Sequence, residues 1–249
     1  MKRPKKTGVA LITGASGGLG TVVTDQFLES GYLVSAVALD WAKRPPKTES
    51  LLVSESDLTS RKAAELAVKR TLKTFGSIDF LVHLVGAFSG GNRVEETTDD
   101  EWDEMLAVNL RTAVNMLRAT IPSMRAQGAG RIMVVGSTTA LHPVVTWGPF
   151  CAAVAGLCSM VKVAAAELRD EGITVNALLP TTIDTPIVRG MIGEAEANKW
   201  VDARSLGSMM LWLCSDAGRD LTGALLPFMG RQPHPCFDWH GETDSGGNQ

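Results

Sequence analysis

Residues 13–20 read Thr13-Gly14-Ala15-Ser16-Gly17-Gly18-Leu19-Gly20. The apolar run Val9-Ala10-Leu11-Ile12 leads into this stretch, and a segment with helical periodicity over 18–30, closed by Gly31, leads out of it. A strand, a glycine-rich turn and a helix in direct succession form a site for phosphate. The glycines permit a tight turn and close backbone approach, and the unpaired N–H groups at the positive end of the helix face an anion. The residues predicted to hold a dinucleotide here are Gly14, Ser16, Gly17, Gly18, Leu19 and Gly20.

Outward from this turn, apolar runs and helical patterns alternate along the chain. Strands are predicted at Leu33–Leu39, Asp79–Val85, Arg131–Gly136, Ile173–Leu179 and Ala224–Phe228, and helices over 60–75, 99–127, 150–171 and 203–216. The alternation predicts an α/β fold, a Rossmann-type doubly wound parallel sheet with helices on both faces, in a single domain over 8–231. Residues 40–50, polar and proline-bearing, and 86–98, with their glycines, read as loops. Residues 1–7 read as a basic, solvated tail, and 232–249 as a C-terminal tail without periodicity.

Of 249 residues, 45% are hydrophobic, which supplies a sizeable core for one domain. The net charge of −3 offers no global field for nucleic acid. No apolar stretch follows the basic start in the manner of a targeting signal, and none is read as a membrane helix. The four cysteines, Cys151, Cys158, Cys214 and Cys236, form no CxxC pair and read as reduced thiols of a cytoplasmic protein. His234, Cys236 and His240 match no zinc spacing, so no metal site is expected.

The glycine spacing resembles that of the short-chain dehydrogenase/reductase family, and further landmarks follow in the family's order over about residues 8–231. Ser56-Asp57-Leu58 resembles the acidic turn that contacts the adenine. Gly86 and Ala87 stand where the Asn-Asn-Ala-Gly motif ends the fourth strand, although His83-Leu84-Val85 departs from it. Asn109 matches the family's helix asparagine and Ser137 its catalytic serine. Pro180, Thr182, Ile183 and Thr185 resemble the segment that closes over the nicotinamide. The resemblance implies NAD or NADP as cofactor. The family's acidic ribose contact falls near Ala38, with Asp40 two residues on, which favours NAD, while Lys43 and Arg44 could attract a 2′-phosphate. It also implies a homodimer or homotetramer formed through the helices over 99–127 and 150–169.

The family's proton chemistry rests on a Tyr-x-x-x-Lys pair. Here the matching segment reads Phe150-Cys151-Ala152-Ala153-Val154, so the phenol and the ammonium are both missing. The chain's one tyrosine, Tyr32, lies near the second strand, and Lys162 lies two turns beyond Val154. The remaining catalytic candidates are Ser137, Asn109 and His142, with His83 and Cys151 as lesser candidates for a proton donor. Three readings follow. The chain is an NAD(P)-dependent oxidoreductase of a small carbonyl or alcohol with weak or altered activity. Alternatively it is a nucleotide- or ligand-binding protein on the same fold, or a non-redox enzyme reusing the pocket. Phe88, Trp147 and Met191 are expected as apolar walls for a small hydrophobic or ring-containing molecule.

Overall fold

The structure, a computed structural model, describes residues 8–231. The expectations for both tails, and for His234, Cys236 and His240, lie outside these residues. Seven parallel strands form the main sheet: β1 (Val9–Thr13), β2 (Leu33–Ala38), β3 (Leu51–Glu55), β4 (Phe80–His83), β5 (Gly130–Val135), β6 (Ile173–Pro180) and, after a short pair described below, β9 (Leu225–Phe228). Their order is β3-β2-β1-β4-β5-β6-β9, so the winding reverses between β1 and β4. β7 (Ile183–Asp184) and β8 (Val201–Asp202) pair separately, Ile183 with Val201 and Asp184 with Asp202.

Helices α1 (Gly18–Glu29) and α7 (Ala203–Cys214) cover one face of the sheet. α2 (Arg61–Phe75), α4 (Thr112–Gln127) and α5 (Gly148–Glu167) cover the other. Alternation along the strands divides the core between the two layers. On β6, Ile173, Val175, Ala177 and Leu179 join the α2–α4–α5 layer, while Leu178 joins the α1–α7 layer. This is the doubly wound, single-domain architecture expected from the strand–helix alternation.

Several local readings are corrected. The segment 99–127 is two helices, α3 (Asp99–Leu106) and α4, joined by a π-turn over Ala107–Arg111. α5 starts at Gly148, with Pro149 in its first turn where a missing N–H costs nothing, and it ends at Glu167. The strand β3 and the short helix α6 (Pro186–Ile192) carry too few residues for periodicity to register. α5 is also long and apolar enough to cross a membrane by length and composition, contrary to the sequence reading. It packs on β6 and α3 as a core helix, with half of its most apolar window buried. Cys151 and Cys158 are buried on that helix, as expected, and burial pushes the Cys158 thiol up to about 11.

Candidate active site

The glycine turn lies at the winding reversal, where crevices open beyond the carboxyl ends of the strands. Gly14 has φ +70°, and a Cβ there would lie 2.8 Å from the backbone carbon of Leu84, so only glycine lets the turn pass the end of β4. Gly17 N–H donates to Gly14 O (3.1 Å), closing the turn, and Thr21 N–H donates to Gly17 O (3.0 Å), opening α1. No side chain caps α1 and no acidic residue stands in its first turn. Its leading N–H groups, on Gly18, Leu19 and Gly20 beside the half-buried Ser16, therefore present unneutralised positive charge. That donor set fits a phosphate group.

Asp40 is exposed just beyond β2. Arg44 is drawn away to the sheet edge, where it donates to Val53 O (2.8 Å) and lies 3.7 Å from Glu55. Asp57 accepts from the N–H and hydroxyl of Thr59 (3.0 and 2.6 Å), which fixes the turn into α2. Leu58 is buried, and its carbonyl accepts from Asn115 Nδ2 (2.9 Å). Asp57 thus fixes the turn with its carboxylate, and Leu58 packs into the α2–α4–α5 layer of the core.

His83 ends β4 in full burial, and desolvation pushes its imidazole down to about 3, so it is neutral. Thr112 Oγ1 donates to Val108 O (2.5 Å), which leaves that oxygen to accept from His83 Nε2–H (3.2 Å). His83 Nδ1 then accepts from the Thr13 hydroxyl at 2.7 Å. One imidazole in one tautomer therefore ties β1 to the first residue of α4. His83 is a structural link and not a proton donor for substrate.

The π-turn presents Asn109, which is 5% exposed. Its Oδ1 accepts from Ala87 N–H (3.1 Å), and its Nδ2 donates to Met105 O (3.1 Å). A Cβ on Gly86 would lie 3.1 Å from that Oδ1. Asn109 therefore holds the Gly86–Ala87 backbone in place just beyond β4.

Ser137 follows β5 in extended backbone, and its Oγ accepts from both the N–H and the hydroxyl of Thr139 (3.2 and 3.0 Å). Its own O–H remains available to donate. His142 is half-buried in the loop beyond, with its N–H on Thr138 O (3.0 Å). Phe150 opens α5 inside an aromatic cluster. Its ring centroid lies 5.3 Å from that of Phe88 and 6.4 Å from that of Trp147, both edge-on. Val154, one turn on, is 2% exposed within the α5 packing. Tyr32 packs instead against Phe27 and Phe80 at the start of β2, and Lys162 is exposed on α5.

Pro180 closes β6, Thr182 O accepts from Val201 N–H (2.8 Å) and Ile183 lies in the β7–β8 pair. Thr185 caps α6, accepting from Val188 N–H (3.3 Å), and lies so close to Gly18 that a Cβ there would meet its Cβ at 2.7 Å. The segment after β6 thus folds over the glycine turn. It is stiffened by Arg189, which donates to both oxygens of Asp184 (2.6 and 2.8 Å) and holds that carboxyl below its ordinary value. A cleft of about 590 Å³ is lined by Asp184, Thr185, Arg189 and Glu194.

The Thr13–His83–Thr112 chain and the loop residue Thr146 were not legible in the sequence. Thr146 is the one non-glycine residue with positive φ, +67°, among the described residues. Threonine carries no sequence signal for that conformation. The two threonines of the chain are ordinary core residues until the sheet order brings them to His83.

Comparison with known proteins fits this geometry. Residues 8–195 match the family model described as short chain dehydrogenase. The short chain dehydrogenase adrF of Penicillium rubens is 28% identical over 240 residues, covering 88% of this chain and 94% of that protein. The 3-oxoacyl-[acyl-carrier-protein] reductase FabG of Vibrio harveyi is 28% identical over 230 residues, with 88% and 94% covered. A solved 3-ketoacyl-(acyl-carrier-protein) reductase from Brucella melitensis, complexed with NADH, superposes with a TM-score of 0.83 at 28% identity, covering 90% of this chain and 98% of that one. The chain belongs to the short chain dehydrogenase family.

Proposed function

We propose that this protein binds a nicotinamide dinucleotide, NAD in preference to NADP, and that it turns over small carbonyls or alcohols slowly because its proton-transfer pair is gone. One observation carries the reading. Phe150 is packed edge-on into Phe88 and Trp147, and Val154 is buried, so neither position offers a proton or a charge. A positioned acid–base group contributes roughly 10²–10⁴-fold to rate, and that contribution is lost here. The uncapped start of α1, Gly18 and the overlying Thr185 would hold the pyrophosphate. Asp40, exposed and unpaired by any described cation, would meet the ribose, while Arg44 is occupied at the β3 edge. That division favours a ribose diol over a 2′-phosphate.

When bound, the dinucleotide supplies or accepts a hydride. Ser137 orients a ligand oxygen with its remaining O–H, and Asn109 keeps the Gly86–Ala87 wall in position. Nothing further passes a proton from the positions at 150 and 154. Calorimetric titration with NADH and NADPH tests the cofactor part. NADH is expected to bind, and to bind more tightly than NADPH. Absence of heat from either at millimolar concentration would remove the reading, and tighter NADPH binding would reverse the cofactor choice.

A further inference from the structure

The loops after β4 and β5 meet in a single wall, and that wall is made of rings. Trp147 and Phe88 have centroids 4.5 Å apart, close to edge-on, and Phe150 completes the set from α5. Three features of the backbone hold them there. A Cβ on Gly90 would lie 2.7 Å from Trp147 Cδ1 and 3.1 Å from Phe88 Cζ, so only a bare backbone fits behind the two rings. Gly91 N–H donates to Thr146 O (2.9 Å), tying one loop to the other. Thr146 adopts positive φ immediately before Trp147, and strain of this kind persists where the surroundings over-determine it. The cluster is therefore built and not incidental, and its outer member stays open: Phe88 is 51% exposed. Leu141, Val144 and Val145 continue the apolar surface along the same loop, all exposed.

We infer that Phe88, Trp147 and Phe150 form a platform that selects an uncharged, aromatic ring-bearing ligand. The inference takes from the proposed function only that a carbonyl or alcohol ligand binds at the loops that follow β4 and β5. The ring geometry distinguishes among ligand classes. A quaternary ammonium needs a hollow cage of ring faces, whereas these rings fill the space between themselves and leave no hollow. An aliphatic ligand gains area but no quadrupole contact. An aromatic ring gains both, because the platform presents an open ring at Phe88 for a further edge-to-face or offset contact.

The matched pair acetophenone and cyclohexyl methyl ketone tests this, since the two differ in aromaticity at nearly constant shape. Ligand-observed NMR titrations are run on the cofactor-free protein and on the protein with NADH. Acetophenone is expected to bind about three- to tenfold more tightly than the cyclohexyl ketone, the span of a single aromatic contact. Phe88→Leu, at a half-exposed position that folding tolerates, is expected to abolish that preference and leave NADH affinity unchanged. Equal affinity for the two ketones, a preference that survives Phe88→Leu, or no binding of either ketone in either form would overturn the platform. A preserved ketone preference without NADH binding would instead overturn the cofactor reading and leave the platform standing.

Discussion

At position 150 a phenyl ring stands in the first turn of α5, and its neighbours explain how the fold accommodates it. Phe88 and Trp147 contact the ring edge-on and enclose it in hydrocarbon on those sides. His83 shows the complementary case, a titratable group made inert. Its folded value of about 3 lies below the ordinary 6.5, so the unfolded chain binds the extra proton first as pH falls. The stabilisation is complete above about pH 6.5 and declines as pH falls toward 3, by up to about 1.4 kcal/mol per pH unit. Carboxylates held low, such as Asp184 and Glu171, also lose stabilisation in acid, so the native slope alone is not diagnostic. The difference between the natural protein and His83→Asn isolates the imidazole. In urea melts from pH 7 to pH 4 the variant is expected to lose less stability than the natural chain, and parallel curves would show that His83 is not buried as neutral imidazole.

Helices and strands were legible where periodicity was long, and they failed where a single side chain rewrote the backbone. The stretch 99–127 reads as one helix because its apolar positions keep phase across 107–111. The extra residue of the π-turn is visible only once Asn109 is seen bonded forward to Ala87 and back to Met105. The strand β3, already too short for its periodicity to register, is hidden by its surroundings as well. Its edge is covered by Arg44 and Trp41 from the polar loop, so its burial comes from residues outside its own pattern. The glycine turn was fully legible, since Gly14 and Gly18 are demanded by contacts with neighbouring strand ends and loops. Asn109→Ala is expected to cost about 1–3 kcal/mol in denaturant unfolding, because it strands the Ala87 N–H and the Met105 carbonyl. A loss below about 0.5 kcal/mol would mean that water satisfies both groups and that the π-turn does not depend on the side chain.

Across the whole molecule, the sheet order decides which distant segments become a site. The reversal between β1 and β4 brings Gly14 against Leu84, and the cover over β6 brings Thr185 onto Gly18. Ser137 and the glycine turn stand at strand ends and Asn109 in the π-turn between α3 and α4, and each belongs to a short stretch that the sequence already singles out. The Thr13–His83–Thr112 chain and the wall joined through Gly91 and Thr146 were not legible there, because each is assembled only when the strands take their order. The function we propose is that of a cofactor cradle around a proton-transfer position filled with hydrocarbon.

The most direct test of that account is NADH-dependent ketone reduction by the natural chain and by the Phe150→Tyr/Val154→Lys double variant, with NADH affinity measured on both to establish that each folds. The double variant is expected to turn over acetophenone at least about 10²-fold faster than the natural chain. A natural chain that matches or exceeds the double variant while both bind NADH would contradict the account.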